Sequence, residues 1–147
     1  MKPIGLLILV FSFSRVVQAQ QLLTKNQQEV QNTVTNFFET LSNRDSVELK
    51  NYCTAEVLFI EYGQVWNLDT LIRKAIRLNT ASDFKRLNTL DFITSHVEKH
   101  TAWLTYNLHS EILRYGKKTK IHRLETIVVV KETDRWKISV LHSTRIR

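Results

Sequence analysis

Cysteine, proline and glycine are scarce in this chain of 147 residues, with 1, 1 and 3 copies respectively. The single cysteine, Cys53, cannot form a disulfide within the chain or build a cysteine zinc site. Its neighbours Tyr52, Val57 and Leu58 are typical of a buried structural thiol rather than a reactive one. The low proline and glycine content excludes a linker-rich or low-complexity organisation.

Long apolar runs are also missing after the N-terminus. The apolar run 4–11 follows a positive residue and is too short to span a bilayer as a helix, and Arg15 interrupts it before spanning length. Residues 17–19 offer small or aliphatic side chains where a signal peptidase cleaves. We expect residues 1–19 to be a cleaved signal peptide and 20–147 one secreted or periplasmic domain without a membrane span. An uncleaved anchor or a core helix is the alternative.

The charge of the mature domain is mildly basic. The chain carries +7, and Lys2 and Arg15 are the only charges in the predicted signal peptide, which leaves +5. Because acidic residues are spread throughout and the domain is expected to be exported, we predict no nucleic-acid partner. A basic run forms a predicted hairpin tip, where solvation is expected and contact with anionic lipid or polysaccharide is the alternative. The run consists of Lys117, Lys118, Lys120 and Arg123.

Helical periodicity marks the first half of the mature domain. Apolar residues recur at spacings of three and four in residues 22–42, which predicts a long amphipathic helix. Asp45 and Glu48 resemble a capping pair for a short second helix. The β-branched and aromatic segment 57–62 predicts a strand, and candidate N-caps for a third helix begin at Asn67.

From about residue 87 the apolar period changes to two. Turn-forming connections separate four segments, which predicts consecutive antiparallel strands at 88–97, 101–114, 119–131 and 135–146. Three helices followed by this meander predict an α+β domain with a curved sheet around the first helix. Alternation predicts that two sets of side chains face inward, Ala102, Leu104, Tyr106 and Leu108 on one strand and Trp136, Ile138, Val140 and His142 on the last.

Three stretches make a family resemblance specific. Residues 52–59 are similar to a helix-to-strand segment in which Glu56 replaces the usual aspartate, residues 101–104 to the opening of a central strand, and residues 136–143 to a closing strand. With this order of elements, the mature chain resembles the nuclear transport factor 2-like superfamily, which includes SnoaL-like polyketide cyclases, ketosteroid isomerases and scytalone dehydratase. The resemblance implies a cone-shaped, cystatin-like α+β roll with a pocket at its wide end.

His142 is the candidate catalytic residue of that pocket. It shares the predicted inward face with Trp136, and an inward histidine can act as a general acid or base near neutral pH. A structural histidine bonded to a neighbouring group is the alternative.

Five other residues are candidates for ligand binding. Tyr62 and Trp66 follow the first strand, where the rim of a pocket would form, and either could stack on an apolar ligand or pack against the core. Tyr106, Thr126 and Trp136 fall on sheet positions expected to face the cavity. A register slip of one residue would exchange Thr126 for Glu125, and a buried carboxylate would favour acid–base chemistry; an outward, paired Glu125 is the other possibility.

We expect no metal site and no cofactor. His96 and His100 have the i, i+4 spacing of a helical metal site, but they fall in a strand and a turn, where this spacing does not converge. Export would also remove the domain from cytosolic nucleotide cofactors.

The outward stripe of the second predicted strand indicates an interface, since an exposed tryptophan on a sheet face commonly marks one. Members of the superfamily often dimerise through this face, so the resemblance implies a homodimer. The stripe consists of Trp103, Thr105, Asn107 and His109.

Three functions agree with these features. The cone could bind a small apolar or amphipathic molecule without transforming it. It could be a cofactor-independent lyase or isomerase, with His142 as acid or base and Tyr106 or Tyr62 polarising a carbonyl. It could also be a dimeric interaction module whose cone is filled by side chains.

Overall fold

The computed structural model describes residues 23–146, so the predicted signal peptide at 1–19 lies outside the described residues. The helices are α1 (Lys25–Ser42), α2 (Ser46–Asn51) and α3 (Leu68–Leu71), which continues as a π-helical segment (Ile72–Arg77). The strands are β1 (Cys53–Glu61), β2 (Gln64–Trp66), β3 (Lys85–Val97), β4 (Thr101–Arg114), β5 (Lys117–Glu132) and β6 (Arg135–Ile146). The α+β class is confirmed, as are all four predicted strands of the second half.

Local capping chemistry determines where the helices begin. The side chain of Thr24 accepts a hydrogen bond from the backbone N–H of Gln27, whose side chain accepts one from the Thr24 N–H, so α1 starts at Lys25. The Asp45 carboxylate accepts from two N–H groups at the start of α2, and the Asn67 side chain accepts from one, that of Thr70, at the start of α3. Between residues 23 and 146, no helix is long and apolar enough to cross a membrane.

The six strands form one sheet in the order β2-β1-β6-β5-β4-β3. Strands β3 to β6 form the predicted antiparallel meander, and β1 joins its edge by pairing parallel to β6. Two-residue turns with positive φ close two of the hairpins, Tyr62-Gly63 between β1 and β2 and Tyr115-Gly116 between β4 and β5.

Helix α1 packs on the concave face of the sheet. Its apolar stripe is buried as the periodicity predicts, with Val30, Val34 and Phe37 at the centre of the core. The inward set of β4 is also confirmed, because Ala102, Leu104, Tyr106 and Leu108 are all buried. We call the end of the sheet at the turns 98–100 and 133–134 the closed end, and the end at Tyr115-Gly116 the open end.

Two predictions of side-chain direction are wrong. Ser139 is an extra residue in β6 opposite the junction of Val128 and Val129, and this β-bulge shifts the alternation by one. Trp136 and Ile138 are therefore inward, but after the bulge Leu141 and Ser143 take the inward positions, and Val140 and His142, both predicted inward, lie on the outer face. On β5, burial of Ile127 and Val129 places Glu125 inward and leaves Thr126 exposed. The run of apolar residues 127–130 hides this direction in the sequence, because both faces of the strand are apolar there.

Candidate functional site

A cavity of about 590 Å³ lies at the open end of the cone. Its apolar wall comes from the C-terminal half of α1, β1, α3 and the inner face of the sheet, and its polar wall from β1, β3, β5 and the β4–β5 hairpin. The cone is thus not filled by side chains, contrary to the third functional alternative. The lining comprises Phe37, Phe38, Leu41, Phe59, Glu61, Tyr62, Trp66, Leu71, Lys74, Ala75, Asn79, Phe84, Arg86, Ile112, Arg114, Tyr115, Lys117, Thr119, Ile121, Arg123, Glu125 and Leu141.

A row of polar side chains crosses four neighbouring strands at the inner side of this cavity. The strand register places Glu61 beside Ser143, Ser143 beside Glu125, and Glu125 beside Tyr106. The Ser143 hydroxyl donates to Oε1 of Glu125 over 2.7 Å. Only 1% of Glu125 and none of Tyr106 is exposed, so these groups form a polar cluster within the core. We call these four residues the polar row.

Burial changes the proton affinities in the polar row. It raises the pKa of Glu125, and the charge of Glu61 adds to the rise, whereas the hydrogen bond from Ser143, the neighbouring Tyr106 hydroxyl and the charge of Arg123 oppose it. The pKa of Glu61 is also raised by burial, with Arg123 and Arg86 opposing. Burial and the charge of Glu125 raise the pKa of Tyr106 well above its ordinary value. Oε2 of Glu125 and the Tyr106 hydroxyl have no well-formed hydrogen bond to another described residue. A proton held by Glu125 could therefore be offered to, or taken from, a molecule in the cavity.

Two arginines flank the polar row. Nη2 of Arg123 donates to the Tyr62 hydroxyl over 2.8 Å and lies 3.9 Å from a carboxylate oxygen of Glu61. Arg86 donates to Asn88 over 2.9 Å and to Ser110 over 3.3 Å. Burial lowers the pKa of Arg86 to about 10, and the charge of Arg123 contributes. The inner cavity therefore contains two guanidinium groups beside two carboxyl groups.

The mouth of the cavity is built from the β1–β2 hairpin, the π-helical segment and the β4–β5 hairpin. Tyr62 stands at its edge, 59% exposed, and the Lys74 ammonium lies 4.2 Å from the centre of the Trp66 ring. The Tyr115 hydroxyl is 2.7 Å from that of Thr80. This bond ties the hairpin to the loop after the π-helical segment across the mouth.

The six predicted site residues occupy three different places. Tyr62 and Trp66 line the cavity, and Tyr106 is completely buried behind its wall, beside Glu125. Trp136 is buried near the closed end, under the ammonium of Lys131 at 5.6 Å, and does not line the cavity. Thr126 and His142 lie on the outer face. Of the six, only Tyr62 and Trp66 therefore line the cavity.

Sequence reasoning missed Glu61, Arg86 and Ser143 and assigned Arg123 to a solvated tip. A signal existed for Glu61, since it is the one charged residue in the segment 57–62, which is otherwise apolar or aromatic. Ser143 could not be identified, because the bulge in β6 reverses its direction.

Other titratable groups stand apart from the cavity. Cys53 is buried at the start of β1, and burial raises its pKa to about 12, as expected of a structural thiol. Among residues 23–146, no three side chains of the metal-binding types gather closely enough to hold an ion.

The outer face of the sheet carries the stripe identified in the sequence. Trp103 is 40% exposed, and its ring stacks on His96 at 4.1 Å between centroids. His109 and His122 stack at 4.2 Å, and Nε2 of His109 is 3.4 Å from Asp91. Two stacked pairs of aromatic rings therefore lie on the outer face of the sheet.

Comparison with protein families gives one model that spans most of the chain. It is described as the SnoaL-like domain and matches residues 30–144. No curated protein matches the chain. The family match confirms the resemblance seen in the sequence.

Several solved structures share the fold. A candidate dehydratase of the nuclear transport factor 2-like family from Streptomyces avermitilis aligns with a TM-score of 0.72 at 17% identity, over 83% of this chain and 96% of that one. A candidate ketosteroid isomerase from Shewanella frigidimarina aligns with a TM-score of 0.62 at 21% identity, over 77% of this chain and 92% of that one. A CaMKII hub homology domain from Chlamydomonas reinhardtii aligns with a TM-score of 0.71 at 17% identity, over 83% of this chain and 99% of that one. Identities this low show a common fold only.

Proposed function

The chain belongs to the SnoaL-like domain family, and on that premise we propose that it binds a small amphipathic molecule in its cavity. The cavity itself carries the proposal. Its volume of about 590 Å³ is in the range of small-molecule sites, which are concave, mostly apolar and supplied with a few polar groups. Here Phe37, Phe59 and Leu141 supply apolar wall, and Glu125 and Arg123 supply polar groups.

A bulky side chain inside the cavity tests this proposal. Thr119 faces the cavity on β5, whereas Thr126 is on the outer face of the same strand. We expect Thr119→Trp to weaken binding of the neutral fluorescent probe N-phenylnaphthylamine at least tenfold, and Thr126→Trp to leave it unchanged. Equal binding by both variants would place the probe elsewhere and refute the proposal.

A second candidate function is cofactor-independent proton transfer, as in a lyase or isomerase. The observation that favours it is the raised pKa of Glu125 beside Tyr106, because a carboxyl group that holds its proton nearer neutral pH serves as acid or base. Glu125 replaces His142 in this role, since His142 is exposed on the opposite face. Tyr106, which is completely buried, would act through its contact with the Glu125 carboxyl group and not on the substrate directly.

Exchange of an acidic C–H proton measures this activity without knowledge of the natural substrate. We expect the wild type to accelerate deuterium incorporation into an enolisable cyclic ketone in D₂O, and Glu125→Gln to abolish the acceleration, a loss of about 100-fold or more. His142→Ala should retain it. Activity that survives Glu125→Gln but not His142→Ala would contradict the assignment.

We also propose export and self-association. The predicted signal peptide supports export, and the mass of the protein recovered from an expressing cell would reveal cleavage after Ala19.

Exposed Trp103 supports a homodimer through the outer sheet face, and hub domains of CaMKII share this fold. Trp103→Glu should then shift a dimer to monomer in sedimentation, whereas Val47→Glu, at an exposed site on α2, should not. A wild type that sediments as a monomer would refute the homodimer.

A further inference from the structure

We infer that the molecule taken by the cavity is an anionic amphiphile, whose acid group is held at the mouth by Lys74, Arg114 and Lys117 while its apolar body extends inward. This inference rests on the proposed binding function and specifies its ligand class. The acid group would be a carboxylate, sulfate or phosphate monoester, which share the chemistry that cationic side chains recognise.

The charges that line the cavity are unequal in number. Five cationic side chains face two carboxyl groups, Glu61 and Glu125. The cations are Lys74, Arg86, Arg114, Lys117 and Arg123. Even with both carboxyl groups ionised, the lining keeps a surplus of three positive charges. Because the pKa values of Glu61 and Glu125 are raised, these carboxyl groups become protonated as the pH falls, and the positive surplus grows.

The surplus is located at the mouth. The inner arginines have acidic neighbours, since Arg123 lies near Glu61 and the charges of Glu61 and Glu125 both act on Arg86. Among the described residues, no carboxylate lies within 4 Å of the cationic groups of Lys74, Arg114 or Lys117. An anion at the mouth would therefore meet cations that no acidic side chain of residues 23–146 neutralises.

The mouth cations stand on a supported framework. The Asp83 carboxylate accepts from the backbone N–H groups of Tyr115 and Gly116 over 2.8 and 2.6 Å, so it braces the turn between Arg114 and Lys117 and does not pair with either. Lys74 approaches from the π-helical segment on another side, over the Trp66 ring. The backbone that carries these cations is therefore ordered before a ligand binds, which reduces the loss of conformational entropy on binding.

The apolar part of the ligand has a continuous surface inside the mouth. Leu71 and Ala75 lie below Lys74 on the helical side, and Phe37, Phe38 and Phe59 form the inner wall. At the far side stands the polar row, where a hydroxyl or carbonyl on the body of the ligand could bind. The complementary molecule has an acid group at one end and an apolar, compact body.

Two probes that differ in one charged group provide the test. Anilinonaphthalene sulfonate is N-phenylnaphthylamine with a sulfonate added, so a difference in their dissociation constants, measured by fluorescence titration, reports the acid group. We expect the anionic probe to bind the wild type roughly tenfold tighter, and added salt to remove most of that difference. Competition with decanoate, decyl phosphate and decanol then identifies the preferred acid group, with decanol the weakest.

Matched double variants locate the effect. Arg114→Gln with Lys117→Gln should weaken the anionic probe roughly tenfold and leave the neutral probe unchanged. Lys118→Gln with Lys120→Gln removes the same charge from the same hairpin at positions that do not line the cavity, and should weaken neither probe by more than about twofold.

The outcomes separate this inference from the proposed function. Equal affinity of the wild type for both probes, or equal loss in the two double variants, would overturn the anionic ligand class but leave cavity binding intact. Failure of the wild type to bind either probe would overturn both.

Discussion

The closed and open ends of the cone use the same strands in different ways. Near the closed end the inward residues Leu104, Ile127 and Ile138 are completely buried against α1. Further along β5 towards the open end, the inward residues are Glu125, Arg123 and Ile121, which line a cavity. The alternation of directions continues, but the environment changes from packed core to ligand-accessible wall.

Element lengths explain this difference. Helix α1 has 18 residues and is therefore about 27 Å long, whereas the 16 residues of β5 extend roughly 50 Å. A single helix cannot cover the whole concave face, so the sheet continues beyond it. Side chains on the part of the concave face that α1 does not cover must be polar, pair with one another, or be covered by a bound ligand.

Truncation of one isoleucine at each end should reveal this difference most strongly. Ile127 is completely buried, whereas Ile121 is half-buried on the same face of the same strand and borders the cavity. We expect Ile127→Ala to lower the free energy of unfolding by about 3 kcal/mol and Ile121→Ala by about 1 kcal/mol or less. Urea denaturation measures both. Equal losses would show that the open end is as tightly packed as the closed end.

Replacement of Glu125 tests the electrostatics of the open end. Because its pKa is raised in the folded state, the contribution of Glu125 to stability is complete below the ordinary glutamate pKa and is lost as the pH rises through the raised value. We expect Glu125→Gln to raise the Tm by a few degrees at pH 8 and to change it little at pH 4. A matched substitution at the exposed Glu56 should show no such trend. A Tm that is lower for Glu125→Gln at every pH would show that the carboxylate is well compensated.

Removal of the Asp83 carboxylate, which holds the Tyr115-Gly116 turn at the mouth, should have a smaller and more local effect. Hydrogen bonds from Gly116 and Tyr115 lower the pKa of Asp83, so the stability it contributes is present above the ordinary aspartate pKa and is lost as the pH falls through the lowered value. We expect Asp83→Asn to speed amide hydrogen exchange in the Tyr115-Gly116 turn with almost no change in Tm. Exchange that spreads to Ile127 would mean that the two ends unfold together.

Alkylation of Cys53 gives the smallest expected effect, since we predict no reaction in the native protein. Its thiol is buried and its pKa is raised to about 12, so iodoacetamide should not modify the native protein at pH 8 and should modify it fully in urea. Rapid modification without denaturant would show that the start of β1 opens readily.

Prediction from the sequence succeeded where the physical causes are local. Asp45 and Asn67 cap helices through contacts with residues two or three positions away, so their positions could be read directly. The strands of the second half followed from alternation and turn residues in the same way. Tyr62 and Trp66 were identified as pocket residues because they border a predicted strand end.

Failures arose where direction depends on a distant partner. His142 was expected inside because its strand alternates regularly from Trp136, but the bulge at Ser139 reverses the direction of every later residue. The parallel pairing of β1 with β6 brings Glu61 beside Ser143, although the two are 82 positions apart in the chain. No local pattern contains that information.

By itself the sequence determined the family, the order of the helices and of every strand except the short β2, and most of their ends, because caps, turns and apolar periods act over a few residues. Tertiary structure alone decided which carboxylates and arginines meet in the cavity. That decision depends on strand register, on one inserted residue in β6 and on a helix shorter than the sheet it covers, and each of these is settled only when distant segments pack together.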